Sequence, residues 1–128
     1  MTNEEFNEWF REKTKAFALA IIAFIETVPS NPATQVMKYQ LCKASTSVGA
    51  NFRAFCRGRS RNERFSKICI VTEEADESQY WLELFDKTAY GDKTLLPWLL
   101  NESTEIVKVS TCLLYTSPTL RDRTRYRM

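Results

Sequence analysis

The chain has no histidine, only three glycines and four prolines, and four cysteines without a C-x-x-C pair. Each scarcity removes a class of function. Without histidine there is no serine–histidine triad for Ser45, Ser47 or Ser66 to join. Bundle di-metal sites built on Glu-x-x-His motifs are excluded for the same reason. Cysteines spaced as Cys42, Cys56, Cys69 and Cys112 do not match a zinc site. No Walker-type glycine loop is present. The longest apolar run, Ala16 to Ile25, has ten residues. A membrane span needs roughly 20, so no membrane segment is expected. The N-terminus is acidic at Glu4 and Glu5, so no secretory leader is expected either.

What is present is a single domain's worth of chain, 128 residues with 44% hydrophobic content. Few glycines and prolines argue for long regular elements. Asn3 is placed to cap a first helix beginning at Glu4, and Phe6, Phe10, Phe17, Ile21, Phe24 and Val28 recur at helical spacing. Pro29 ends it. Asn31-Pro32 starts a second helix that runs to about Arg57, with Gly58 as the C′ residue. Ser60-Arg-Asn-Glu63 reads as a capping box opening a third helix, which extends to about Lys87. Its expected inner stripe is Phe65, Ile68, Thr72, Ala75, Gln79 and Leu82. Ala89-Tyr-Gly-Asp92 reads as a loop, and a fourth helix covers about Leu95 to Leu113 with Pro97 in its first turn. No strand periodicity is visible. The expected fold is all-α, an up-down-up-down four-helix bundle.

Cys42 and Cys56 fall on one predicted helix, about 21 Å apart at 1.5 Å per residue. That exceeds the roughly 7 Å limit for a disulfide. Reduced, structurally passive thiols in a cytoplasmic protein are expected. The acidic run Glu73, Glu74, Asp76 and Glu77 reads as a solvated face. No cofactor or metal is expected, and no catalytic residue.

Charge is the informative property. The formal net charge is +2. Without the four arginines and one aspartate of residues 112–128, 14 basic and 15 acidic side chains remain, a net charge of −1. Against that near-neutral body, Arg53, Arg57, Arg59, Arg61, Arg64 and Lys67 crowd the elbow between the second and third helices, opposed only by Glu63. Arg59, Arg61 and Arg64 sit where a helix starts, the end at which the dipole disfavours cations. An anionic partner such as a nucleic-acid backbone would account for them. A solvated basic turn is the plainer reading. Asn51, beside the elbow, is expected either to hydrogen-bond across the bundle or to face solvent.

Two apolar features exceed what a lone bundle needs. The run from Ala16 to Ile25 is apolar all round. On the third helix, Ile70, Trp81, Leu84 and Phe85 lie roughly opposite the inner stripe. They are the candidate oligomer-interface residues.

Four segments carry a family resemblance: Ser47-Val-Gly-Ala-Asn-Phe-Arg-Ala54, Arg59-Ser-Arg61, Phe65-Ser-Lys-Ile68 and Glu74-Ala-Asp-Glu-Ser-Gln-Tyr-Trp-Leu-Glu-Leu84. Over roughly residues 5–111 the chain resembles the bacterial four-helix-bundle proteins encoded in 23S rRNA intervening sequences, a family that includes the accessory variability determinants of diversity-generating retroelements. The resemblance implies a ring-like homopentamer without enzymatic activity. For the accessory members it implies binding to nucleic acid, RNA or DNA, and to a reverse transcriptase. Two functions follow as expectations: nucleic-acid binding through the arginine elbow, or a protein-interaction scaffold with little direct nucleic-acid contact.

The domain is expected to span 1–111. The following segment, Cys112-Leu-Leu-Tyr-Thr-Ser-Pro118, resembles the translation of a transposon-end adapter used in library preparation. Residues 112–128 are accordingly expected to be a non-native or disordered tail, and their arginines are not read as a nucleic-acid arm.

Overall fold

The computed structural model describes residues 1–116; the arginine-rich segment 117–128 lies outside the described residues. Four helices make up the described residues, with no strand among them: α1 Asn3–Ile25, α2 Pro32–Cys56, α3 Arg61–Asp86 and α4 Leu96–Tyr115. Each packs on the next, and α4 closes against α1 along a much thinner seam than the others. The backbones of the diagonal pairs stay apart, and these helices meet through core side chains. Short connections between neighbouring helices fit the expected up-and-down order.

Local chemistry sets most boundaries. α1 is capped by Thr2 rather than Asn3: its hydroxyl accepts from the Glu5 amide at 3.0 Å, and the Glu5 carboxylate accepts from the Thr2 amide at 3.0 Å. This full capping box holds the Glu5 carboxyl below its usual range, through the backbone and hydroxyl hydrogen bonds of Thr2. Asn31 caps α2 by accepting from the Thr34 amide at 2.9 Å, with Pro32 at the first helical position. Ser60 caps α3 through the Glu63 amide at 3.1 Å. The expected reciprocal box is only half formed there, because the Glu63 carboxylate takes the Arg59 amide instead, at 3.3 Å.

The core runs the length of the bundle. Phe10, Phe17, Ile21 and Phe24 from α1 meet Leu41, Val48 and Phe52 from α2, then Ile68, Val71, Leu82 and Phe85 from α3, and Leu96, Leu99 and Ile106 from α4. Phe10 stands edge-on to Phe52 at 4.7 Å and Phe24 edge-on to Phe85 at 5.2 Å. Edge-to-face pairs add about 0.5–1.5 kcal/mol beyond their buried area. Phe85 is therefore a core residue with no exposed surface, not a member of an outer face as the spacing predicts. The buried stripe of α3 is Ile68, Val71, Ala75, Ser78, Leu82 and Phe85. Thr72 and Gln79 sit half-buried at its margin. Gln79 reaches α4, donating to the Thr104 hydroxyl at 2.6 Å.

The thin α1–α4 seam carries one polar clamp. Lys13 on α1 donates to Glu102 at 3.0 Å and lies 3.2 Å from Glu105, both on α4. α4 continues beyond the expected domain end at 111, through Tyr115, with Leu113 and Leu114 packed against the core.

Candidate nucleic-acid interface

The elbow between α2 and α3 occupies one end of the bundle, and its six cations do not act alike. Arg53 is exposed in the last turn of α2, and Arg57 is the helix's C-cap. Cations suit that end of a helix. Arg59, Arg61 and Arg64 are also exposed, while Lys67 is half-buried further along α3. Arg64 lies over the Phe55 ring, 5.1 Å from its centroid. This cation–π contact ties α3 back to α2 and offsets the unfavourable dipole at the start of α3.

Gly58 makes that crossing possible. Its φ is not positive, so it is not the left-handed C′ glycine that the spacing predicts. A β-carbon on it would instead collide with the Cγ of Arg64. The glycine serves close approach rather than backbone geometry. Asn51 takes neither expected role. Its amide donates to the Ser47 carbonyl and to the Ser47 hydroxyl, both at 2.9 Å, within α2 itself.

The structure adds two cations that the sequence elbow lacks. Arg11 and Lys15 on α1 line a groove of about 620 Å³ whose opposite wall carries Arg53 and Arg57 from α2. Among the described residues, Glu12 is the only carboxylate lining it. Gly49 lies at the helix contact, where a β-carbon would come within 3.4 Å of the Thr14 hydroxyl. Ala18 and Ala50 keep the rest of the lining small. Cys56 lies at the elbow end of this groove. Burial pushes its thiol up from the ordinary value, opposed by a hydrogen bond from Arg11 and by the charges of Arg11, Arg64 and Arg57. Arginines of α1, of the α2 C-cap and of α3 thus act on one thiol. None of the four cysteines is in a disulfide, and Cys112 is the exposed one.

Two other regions were candidates in the sequence. Among the described residues, no group of three or more acidic or cysteine side chains is placed to hold a metal ion. Within the acidic run of α3, Glu74 is held above the usual carboxylate range, first by burial and then by Glu77 and Glu73, with Lys43 opposing. Of the interface candidates other than Phe85, Ile70, Trp81 and Leu84 are half-buried. The Trp81 indole N–H is buried and makes no hydrogen bond among the described residues. The outer side of α1 is more open. Leu19 is 60% exposed and Ile22 40%, while Val36 and Tyr39 on α2 are also exposed. No helix among the described residues is long and apolar enough to cross a membrane.

An all-α four-helix arrangement with a basic elbow at one end defines a class of small helical-bundle proteins. The chain belongs to the 23S rRNA-intervening sequence protein family, whose pattern matches residues 8–111. It is similar to a crystal structure of a protein with unknown function from the S23 ribosomal protein family from Bacteroides thetaiotaomicron. The TM-score is 0.77 at 31% identity, covering 86% of this chain and 98% of that one. No curated protein matches the chain.

Proposed function

We propose that this chain is a non-enzymatic, ring-forming nucleic-acid-binding protein that holds an RNA or DNA backbone against its α2–α3 elbow. The observation that carries the reading is the concentration of Arg53, Arg57, Arg59, Arg61 and Arg64 as exposed side chains at one end of a near-neutral bundle. Arginine forks bond two phosphate oxygens at once. No elbow side chain is arranged to read base edges, so binding is largely sequence-independent and salt-sensitive. A ring would present one elbow per subunit, and weak contacts would add through multivalency.

The test changes Arg57, Arg59, Arg61 and Arg64 together to glutamine and measures RNA and DNA retention on filters over a salt series, with circular dichroism as the folding control. Weaker binding and a shallower salt dependence are expected. Unchanged affinity would reduce the elbow to a solvated turn.

A second reading has its own support. Leu19, Ile22, Val36 and Tyr39 are exposed apolar side chains on α1 and α2. They favour a scaffold that docks a protein, whether another copy of this chain or the reverse transcriptase implied for the accessory members. Retained partner binding by the four-arginine variant would favour it.

A further inference from the structure

We propose that the groove between α1 and α2 seats the sugar-phosphate backbone of a single nucleic-acid strand. This deepens the nucleic-acid reading above and rests on it.

Charge on two walls is the first argument. Arg11 and Lys15 stand one helical turn apart on α1, and Arg53 and Arg57 one turn apart on α2. Each pair is separated by about 6 Å along its axis. Four cations face one carboxylate, Glu12, in a volume of about 620 Å³. A strand laid along the groove meets a cation on one side or the other at each step.

Shape is the second argument. Gly49, Ala18 and Ala50 leave the space between the walls open. A duplex presents its phosphates on a stiff convex surface and touches only the rims of such a cleft. A single strand bends into it. Among the described residues no aromatic lines the groove, so these offer no stacking platform for bases. The bases then face outward and the backbone inward. An acidic peptide is the competing polyanion. Tight peptide binding draws on desolvated apolar anchor pockets, and this lining supplies none.

Position is the third argument. Arg53 and Arg57 belong both to the groove and to the elbow, so the two surfaces are continuous. A strand leaving the groove arrives beside Arg59 and Arg64.

Fluorescence anisotropy on the full chain tests the assignment, with labelled poly(U) as the single strand and labelled poly(A)·poly(U) as the duplex. One variant is Arg11→Gln with Lys15→Gln. A second, Ala50→Glu, places a carboxylate in the groove at an exposed position and carries the test if the first fails to fold. A third, Arg59→Gln with Arg61→Gln and Arg64→Gln, alters the elbow alone. Both groove variants are expected to weaken poly(U) binding about tenfold, with less than about a twofold change for the duplex. In the double variant the log–log salt slope for poly(U) should become shallower by about 1.4, at roughly 0.7 per lost phosphate contact on a single strand. Equal losses for strand and duplex would overturn single-strand seating. Parental binding by the groove variants, with loss only in the elbow variant, would overturn the groove and leave the elbow reading intact. Polyglutamate displacing poly(U) at equal charge would make the groove a peptide site and overturn the assignment. A parent chain that binds neither nucleic acid would overturn the function itself together with the groove.

Discussion

Gly91, at φ +85°, lies against the ring of Phe24: a β-carbon built on it would stand 2.8 Å from two ring carbons. The loop between α3 and α4 is thereby seated on the same phenylalanine that packs edge-on against Phe85. The Asp92 amide adds a hydrogen bond to the Thr27 hydroxyl at 2.9 Å. Replacing Gly91 with alanine combines a left-handed backbone with an overlap in a packed core. The expected cost is about 2–4 kcal/mol. Urea unfolding checks it: a midpoint within error of the parent would show that the ring yields freely.

Sequence reading reached the helices because their ends carry local chemistry. Asn31-Pro32 and Ser60 are caps whatever surrounds them. It did not reach the role of Gly91, since the contact with Phe24 joins residues far apart in the chain. Gly58 was visible as a helix stop, but its reason, room for Arg64 to cross to Phe55, belongs to the hairpin. The stripe of α3 was displaced for a related cause. α3 packs against both α2 and α4, so its buried face rotates to take in Val71, Ser78 and Phe85 and leaves Thr72 and Gln79 at the margin. Arg11 and Lys15 had a faint signal, a basic pair four residues apart beside the core positions Phe10, Thr14 and Phe17. Nothing local pairs them with Arg53 and Arg57.

Lys13 should govern how the bundle meets alkali. Its side chain is 11% exposed and that of Glu102 13%. Burial alone would lower the lysine pKa, but the hydrogen bonds and charges of Glu102 and Glu105 outweigh it, and the net direction is upward. A raised folded-state pKa means the folded chain holds the proton more tightly. The stabilisation is fully present below the unfolded value of about 10.4 and is lost as pH rises through the folded one. Lys13→Ala should cost about 1–3 kcal/mol at neutral pH, between exposed and fully buried pairs. Chemical unfolding of both proteins at neutral and strongly alkaline pH checks it. The gap between them should narrow in alkali, and a gap independent of pH would show that lysine packing, not charge, is at work.

Glu74 also shifts upward, but here it is the charged form that opposes folding. Burial comes first and its acidic neighbours second in raising its carboxyl pKa. The folded chain therefore binds this proton more readily than the unfolded chain, and the carboxylate opposes folding at neutral pH. Glu74→Gln should stabilise the protein by a few tenths of a kcal/mol at pH 7, because the site is partly open to solvent. The gain should vanish as pH falls below the ordinary glutamate range, about 4.3. Thermal unfolding at neutral and acidic pH decides it; a variant less stable than the parent at pH 7 would show that the interaction with Lys43 prevails.

Assembly should use two different surfaces. A closed ring is built from heterologous contacts, in which one patch of each subunit meets another patch of the next. The exposed pair Leu19 and Ile22 on α1 offers one patch. Ile70, Trp81 and Leu84, half-buried on α3, offer the other. Light scattering on the chain ending at Thr116 should then show a closed oligomer, with five subunits implied by the family resemblance. Leu19→Glu with Ile22→Glu should block one patch, and Leu84→Glu the other. Each variant alone should be monomeric with full helicity. Mixed together, the two should form a heterodimer and stop there, since only one intact pair of patches remains. A monomeric parent at micromolar concentration would refute assembly outright. Two variants that stay monomeric when mixed would refute the head-to-tail pairing of these faces.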